Sequence, residues 1–463
     1  MRSRSTTHDR RRRHAGSARP LAGARDVIAW TAAEVAEAAG AQLVAGAADA
    51  GPTRAAIDTR SVEPGDLFFG LVGERVDGGR FAADALAAGA WGVLVTPEHA
   101  AGLSGVVLVA PDPLLALQRL ATAWRRALDA AVIGVTGSVG KTSTKQLIAA
   151  LIAPHRRVAA NPANFNTEVG LPLAVLAAPP GTEVLVLEMG MRGFGQIDEL
   201  ARIAEPDVGV ITNIGPVHLE LVGSLEGVAR AKGELLAHVP VAVVPADEPL
   251  LSPYLRPSLD VVHFGTDVAL EDFDPPAVTV LARELRVSLT VPFTARHQLV
   301  NLLAAVAAAQ AIGVEPGGPV EVSFGAMRGE HIALPSGVLV INDCYNANPL
   351  SMRAALDDLA TQAPDGGRRV AVLGDMLELG EGGLEAHREI GAYAARSAVD
   401  LLVAVGPLSS VMPSAFGGEA HVATDAAEAA SLVARLVRPG DVVLGKASRG
   451  IGLETVAEAL AHG

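Results

Sequence analysis

The chain has 463 residues, half of them hydrophobic but only 3% aromatic, and a net charge of −14. That length exceeds one ordinary core, so two to four domains are expected, and no run reaches the roughly 18 apolar residues of a membrane span. The single cysteine, Cys344, leaves no intramolecular disulfide and no thiolate zinc cluster, which fits a reducing, cytoplasmic setting.

Residues 1–26 hold eight arginines and two aspartates, so this head carries +6 and the remainder −20. Arg10 to Arg13 stand in a row, and no apolar stretch follows that would make a secretory signal. The segment reads as a disordered basic head or an over-extended start, with a nucleic-acid arm as the alternative. The acidic body argues against nucleic acid as the main partner.

Residues 27–129 read as a small α/β unit. An Ala-rich helix and a turn cover residues 30–46. Strands at 55–60 and 66–71 are joined by a Pro64-Gly65 turn, followed by a helix at 81–90, a strand at 91–95 and a longer helix at 114–128. Residues 130–325 open with a strand at 131–135, a glycine loop and a helix at 141–152. Buried strands at 184–187, 208–211 and 241–244 alternate with helices, the pattern of a parallel, doubly wound sheet. An alternating stretch at 267–292 suggests an antiparallel extension, and a helix at 299–311 closes the unit. Residues 326–463 carry strands at 338–341, 370–373, 401–405 and 442–444 and read as a smaller nucleotide-fold-type domain. The expected fold is therefore α/β in three domains.

Only four lysines occur, Lys141, Lys145, Lys232 and Lys446, against 33 arginines. Where a bare positive charge suffices, arginine has been used. The lysines therefore mark positions where a compact ammonium, able to lose its proton, is wanted. Lys141 belongs to the run Thr136-Gly137-Ser138-Val139-Gly140-Lys141-Thr142-Ser143. A glycine one residue earlier than usual, Gly134 rather than position 135, breaks the common P-loop spacing. The context of strand, glycine turn and helix start still predicts a phosphate cradle. Backbone N–H groups and the helix dipole would hold a phosphate, Lys141 would reach its outer oxygens, and Thr142 would ligate Mg²⁺.

Glu188 ends a predicted strand beside that loop, placed to hold Mg²⁺ directly or through water, or else is a solvated strand-end acid. His218 follows another strand end and is a ligand or a structural histidine. Lys232 lies on a predicted helix near these groups. Lys145, one turn after Lys141, reads as a solvated face residue. Lys446, with Arg449, could meet a substrate carboxylate or be an ordinary helix-start charge.

Residues 134–145, the segment Asn164-Phe165-Asn166-Thr167 running on to Pro172, and residues 211–235 together resemble the Mur ligase family, which makes amide bonds at the expense of ATP. The resemblance implies two Mg²⁺ ions held by Thr142, Glu188, His218 and a carbamylated Lys232. A neutral amine can attack CO₂ and a guanidinium cannot. The adenine-binding pattern is matched by His297-Gln298-Leu299-Val300-Asn301, with Gln298 where the family has Asn and Asn301 as the implied adenine reader. Arg328 matches an arginine that reaches ATP phosphate, and Asp343 a carboxylate near the ribose.

The string from Asp343 through Tyr345, Asn346 and Asn348 to Met352, the stretch 373–380, and Lys446-Ala447-Ser448-Arg449 resemble the D-alanyl-D-alanine-adding type within that family. Asp58-Thr59-Arg60 with residues 65–68 matches its uridine-binding module. The likeness spans residues 27–463. It implies a cytoplasmic, monomeric enzyme joining D-alanyl-D-alanine to UDP-N-acetylmuramoyl-tripeptide in peptidoglycan precursor synthesis, without nucleic acid or membrane partners. Lys141, Lys232, His218 and Arg328 would carry the chemistry. Asn164, Asn166, Thr167, Tyr345, Asn346, Asn348, Ser448 and Arg449 would contact substrate. The alternatives are another ligase of the superfamily, such as the enzyme adding the third peptide residue or a folylpolyglutamate synthase, and a non-enzymatic nucleotide-binding scaffold. A P-loop GTPase is disfavoured because four lysines leave no Asn-Lys-x-Asp motif.

Overall fold

The computed structural model describes residues 30–162, 164–362 and 366–462. The basic head of residues 1–26 lies outside them. Three sheets follow one another along the chain, each with its own apolar core, and make a three-domain α/β protein. No described helix is long and apolar enough to cross a membrane.

The first sheet has five strands, with Gln42–Ala45 antiparallel to Val106–Val109 at one edge and the other pairings parallel. One of these strands was expected as something else, and one connection differs from the expected turn. Gln42–Ala45 was read as part of a turn: it has four residues and sits at an edge, too short for its alternation to register. Arg54–Ala56 and Asp66–Phe69 pair parallel, so Pro64-Gly65 is no hairpin turn. The chain comes around because Asp58 accepts the Arg60 N–H and caps a 3₁₀ turn over Thr59–Ser61, which replaces the expected strand there. The buried carboxylate of Asp66 accepts from Arg54 (2.6 Å) and from the Glu63 N–H (2.9 Å).

The helix Pro113–Leu128 leads into the second sheet. Asp112 caps it by accepting from the N–H groups of Leu114 and Leu115, each at 3.0 Å. The second sheet has ten strands, centred on Ala131–Thr136 between Val184–Glu188 and Val208–Ile211, all parallel and buried. The helices Lys141–Ile152 and Arg296–Ala311 pack on one face, where Ile133, Leu147, Ile148 and Ile152 are wholly buried. Each such side chain contributes about 1.5–3 kcal/mol. The strands Val268–Asp274, Ala277–Ala282 and Leu285–Thr290 form the expected antiparallel extension. The strands Val158–Ala160 and Asp260–Phe264 were not anticipated.

The third sheet has six strands, five of them parallel, with Glu330–Ala333 antiparallel at the edge. Lys446 ends the strand Val442–Lys446 rather than starting a helix.

Candidate active site

In parallel sheets the carboxyl ends of the strands share one edge, and ligands collect there. Register places Val135 beside Glu188 and Thr136 beside Ile211, so three strand ends deliver the glycine loop, an acid and the Thr212-Asn213 turn to one point. The loop is held from that turn. Val139 donates its N–H to Asn213 Oδ1 (2.9 Å), and its carbonyl accepts from Thr212 Oγ1 (2.6 Å) and Asn213 Nδ2 (3.0 Å). Two glycines are obligatory. A Cβ on Gly137 would lie 1.9 Å from Thr212 Oγ1, and one on Gly140, where φ is +80°, would lie 2.4 Å from Asn301 Oδ1.

Glu188 is buried between two ammonium groups. Its Oε2 accepts from Thr142 Oγ1 at 2.7 Å and lies 3.8 Å from Lys145 Nζ; its Oε1 accepts from Asn166 Nδ2 at 2.9 Å. Burial pushes the carboxyl up, but Lys141, Lys145 and the two hydrogen bonds outweigh it and hold it below the usual glutamate value. Asn161 fixes the backbone of Glu188 from both sides, accepting its N–H (2.8 Å) and donating to its carbonyl (3.0 Å). Lys145 is no solvated face residue. It is 3% exposed, because the strand Val158–Ala160 brings the Asn161 carbonyl over the helix to accept from its Nζ.

Lys141 Nζ donates to the Gly137 carbonyl at 2.8 Å. Burial lowers its pKa; Glu188 opposes the shift and Arg328, in the third domain, adds to it. Lys232 is 2% exposed and is held well below the ordinary lysine value, by burial first and then by the like charge of Lys141. No hydrogen bond or ion pair reaches its Nζ among the described residues. His218 also lies below its usual value. Burial is the main cause, Glu378 opposes it, and Lys232 and Lys141 reinforce it.

The third domain faces this edge across an open cleft of about 480 Å³. Residues 138–143, Asn166, Glu188, Asn301, Arg328, Asp343, Tyr345, Asn346, Asn348 and Lys446 all line it. The Arg328 guanidinium stacks on the Tyr345 ring (3.6 Å), and the Tyr345 hydroxyl donates to Asn164 Oδ1 across the domain boundary. Asn301 is already engaged: its Nδ2 donates to Gln298 Oε1 (2.9 Å) and its Oδ1 accepts from Thr144 Oγ1 (3.3 Å).

Lys446 does not present its ammonium to the cleft as a free charge. It is 2% exposed and bonds Asp343 Oδ2 (2.6 Å) and the Asn346 carbonyl (3.0 Å). Arg449 pairs with Glu454 at 2.6 Å. Cys344, next to Asp343, is buried with its thiol pushed up to about 12, hence inert.

His218, Lys232, Asn164, Thr167, Ser448 and Arg449 do not line the cleft itself. Asp58, Thr59 and Arg60 belong to the first sheet, where Arg60 bonds Asp58 and holds its carboxyl down at about 2. Four side chains here had no expected role: Asn161, Asn213, Lys145 and Glu378. Lys145, Asn213 and Glu378 lie within residues 134–145, 211–235 and 373–380, which carried the likeness, so a signal existed for them; Asn161 gave none.

Three family models cover most of the chain: the Mur ligase family catalytic domain over residues 53–120, the Mur ligase middle domain over 135–309, and the Mur ligase glutamate ligase domain over 327–449. The UDP-N-acetylmuramoyl-tripeptide–D-alanyl-D-alanine ligase of Bacillus subtilis (strain 168) is 38% identical over 430 residues, covering 88% of this chain and 92% of the relative. The protein belongs to the Mur ligase family. It is thus an ATP-dependent ligase. The Escherichia coli (strain K12) protein of the same name is 32% identical, over 87% of this chain and 92% of its own. A crystal structure of MurF from Acinetobacter baumannii superposes with a TM-score of 0.83 at 30% identity, covering 94% of this chain and 99% of that one. MurF from Thermotoga maritima in complex with ADP gives 0.76 at 29%, over 88% and 97%.

Proposed function

We propose that this ligase joins D-alanyl-D-alanine to UDP-N-acetylmuramoyl-tripeptide in peptidoglycan precursor synthesis. One observation carries the reading: a phosphate loop in the second domain and Arg328 in the third face each other across one cleft, with an ionised Glu188 at its floor. Relatives of this name match nearly the whole chain. In this reading the first domain holds the uridine end through Asp58, Thr59 and Arg60. The second binds ATP, and the third, with Asn346, Asn348, Ser448 and Arg449, receives the dipeptide.

The terminal carboxylate of the tripeptide attacks the γ-phosphorus of ATP, giving an acyl phosphate and ADP. The dipeptide amine adds to that carbonyl, and phosphate leaves the tetrahedral intermediate with the carbonyl re-formed. No side-chain nucleophile is needed. Lys141 and Arg328 neutralise charge on the transferring group, and the loop N–H groups orient it. Thr142 and Glu188 offer buried, hard oxygen donors 2.7 Å apart, which suit Mg²⁺. A bound Mg²⁺ would lower the repulsion between the phosphate and the incoming carboxylate.

Two ions would need further donors, and His218 and Lys232 supply them. Burial favours the neutral form of the Lys232 amine, which has no hydrogen-bond partner among the described residues; in that form it can add to CO₂ with loss of one proton, giving an anionic carbamate. A buried anion there would relieve the like-charge contact with Lys141.

The test is to incubate the protein with ATP, the UDP-muramoyl tripeptide and D-alanyl-D-alanine, follow phosphate release and weigh the product. Phosphate release should need both substrates, and the product mass should equal their sum less water. Turnover with a single amino acid such as glutamate as the amine would overturn the assignment.

A further inference from the structure

The loop that follows the strand Arg369–Gly374 is pinned at three successive residues. Buried Asp375 accepts from the Ser409 N–H and hydroxyl, both at 2.7 Å, and its carbonyl accepts from the Ser448 N–H at 3.0 Å. The Met376 N–H donates to Nε2 of wholly buried His387 (2.8 Å), whose Nδ1 in turn donates to the Gly383 carbonyl (2.6 Å). The Leu377 N–H donates to Ser448 Oγ (2.9 Å). A backbone held so firmly delivers the next side chain, Glu378, to one place.

That place is in the other domain. Glu378 Oε2 lies 2.5 Å from His218 Nδ1, a contact between residues 160 apart in sequence. Both residues adopt the left-handed region, φ +64° at Glu378 and +53° at His218. For non-glycine residues this conformation is strained and persists where the surroundings over-determine it, which is common at functional sites. As a surface ion pair this contact would contribute little, since the two side chains are 26% and 46% exposed. Its consequence is directional. A carboxylate can only accept, so the imidazole must donate from Nδ1, and the nitrogen left with a lone pair is Nε2.

We propose that Glu378 is a positioning residue that, when the third domain is seated, holds His218 through Nδ1 and so leaves Nε2 as the nitrogen available to a cation. This rests on the ligase reading above. The site's fourth donor is then complete only in the docked arrangement, so seating of the third domain and metal binding reinforce each other. Carboxylate–histidine pairs of this kind orient metal ligands, and loss of the outer partner typically weakens metal affinity ten- to a hundredfold.

The test uses the full chain with ADP bound and Mn²⁺ as the probe, titrated by electron paramagnetic resonance. The ring ¹⁵N shifts of His218 are followed in parallel and assigned with H218N. E378A should weaken Mn²⁺ at least about tenfold and move the His218 ring nitrogens away from the Nδ1–H pattern. E378Q, whose amide oxygen still accepts, should stay within about threefold of the parent, and E381A, on the same loop, should change nothing. In turnover assays E378A should lower kcat more than it raises KM for ATP. Wild-type Mn²⁺ affinity in E378A would overturn the proposal. So would equal losses in E378A and E378Q with unchanged ring shifts, because charge alone would then account for them. The metal and ¹⁵N readouts need no peptide substrate, so a failed ligase assignment would be told apart from a failed role for Glu378.

Discussion

Replacing Glu188 by glutamine removes one charge from a buried cluster while keeping its shape. The carboxylate is the counter-charge to Lys141 and Lys145, and both it and Lys145 are nearly sealed from solvent. Stranding a buried charge by neutralising its partner costs about 3–5 kcal/mol. Two features place E188Q at the low end: Lys145 keeps the Asn161 carbonyl, and burial already holds both lysines below their usual values, which eases loss of a proton. The expected loss is therefore about 3 kcal/mol at pH 7, read as a fall in the urea midpoint at constant slope. Because the folded pKa of Glu188 is depressed, its contribution is fully present above the unfolded value of about 4.3 and disappears as pH falls through the folded one. The deficit of E188Q should thus persist at pH 7 and close below about pH 4. Adding K145M, which leaves a neutral pair of similar volume, should recover most of it. A deficit under about 0.5 kcal/mol at pH 7, or a double variant no better than E188Q, would refute the view that an ionised Glu188 holds this cluster together.

K232R should lose at least about a hundredfold in turnover, since a guanidinium cannot form a carbamate, with the urea midpoint measured alongside to separate any loss of stability; normal turnover rules the carbamate out. G140A puts a Cβ 2.4 Å from Asn301 Oδ1 at a φ of +80°. With about 1–2 kcal/mol of left-handed strain on top, ADP affinity measured by calorimetry should fall at least about tenfold, and parental affinity would remove the loop from the nucleotide site. His218 lies below the usual histidine value, so the neutral ring is lost only as pH falls through that lowered pKa. The acid limb of kcat/KM should sit below pH of about 6.5, and a limb at or above that value would show that His218 is not the group being titrated.

The geometry of the glycine loop was legible because strand, glycine turn and helix start are contiguous, and the helix Lys141–Ile152 begins and ends where its periodicity says. Glu188 was legible for a similar reason: an acid closing an apolar run declares a strand end. What sequence could not carry was the company each side chain keeps. Lys145 lies one turn from Lys141, but its burial depends on Val158–Ala160, a strand of three residues with no pattern of its own. The link between His218 and Glu378 joins residues 160 apart and needs two domains to be docked. Lys446 was expected to greet a substrate. Its pairing with Asp343 follows only from the parallel register that sets Asn342 beside Gly445.

The scarcity of lysine acquires a physical meaning once the acceptors around each are compared. Lys446 has three, Asp343 Oδ2, the Asn346 carbonyl and the Asp343 carbonyl (3.4 Å), which match the three donors of an ammonium. It is a saturated clamp. Lys145 has the Asn161 carbonyl with Glu188 at 3.8 Å, and Lys141 has the Gly137 carbonyl, leaving donors to turn toward a phosphate. Lys232 has none among the described residues, only the like charge of Lys141. A guanidinium would bring five donors into each of these volumes and strand several of them, at about 1–3 kcal/mol for every buried group left unpaired. Substitution by arginine is thus opposed at Lys446 by geometry and at Lys232 by chemistry. Availability for reaction rises as the acceptors fall away, which singles out Lys232 as the lysine free to form a new bond.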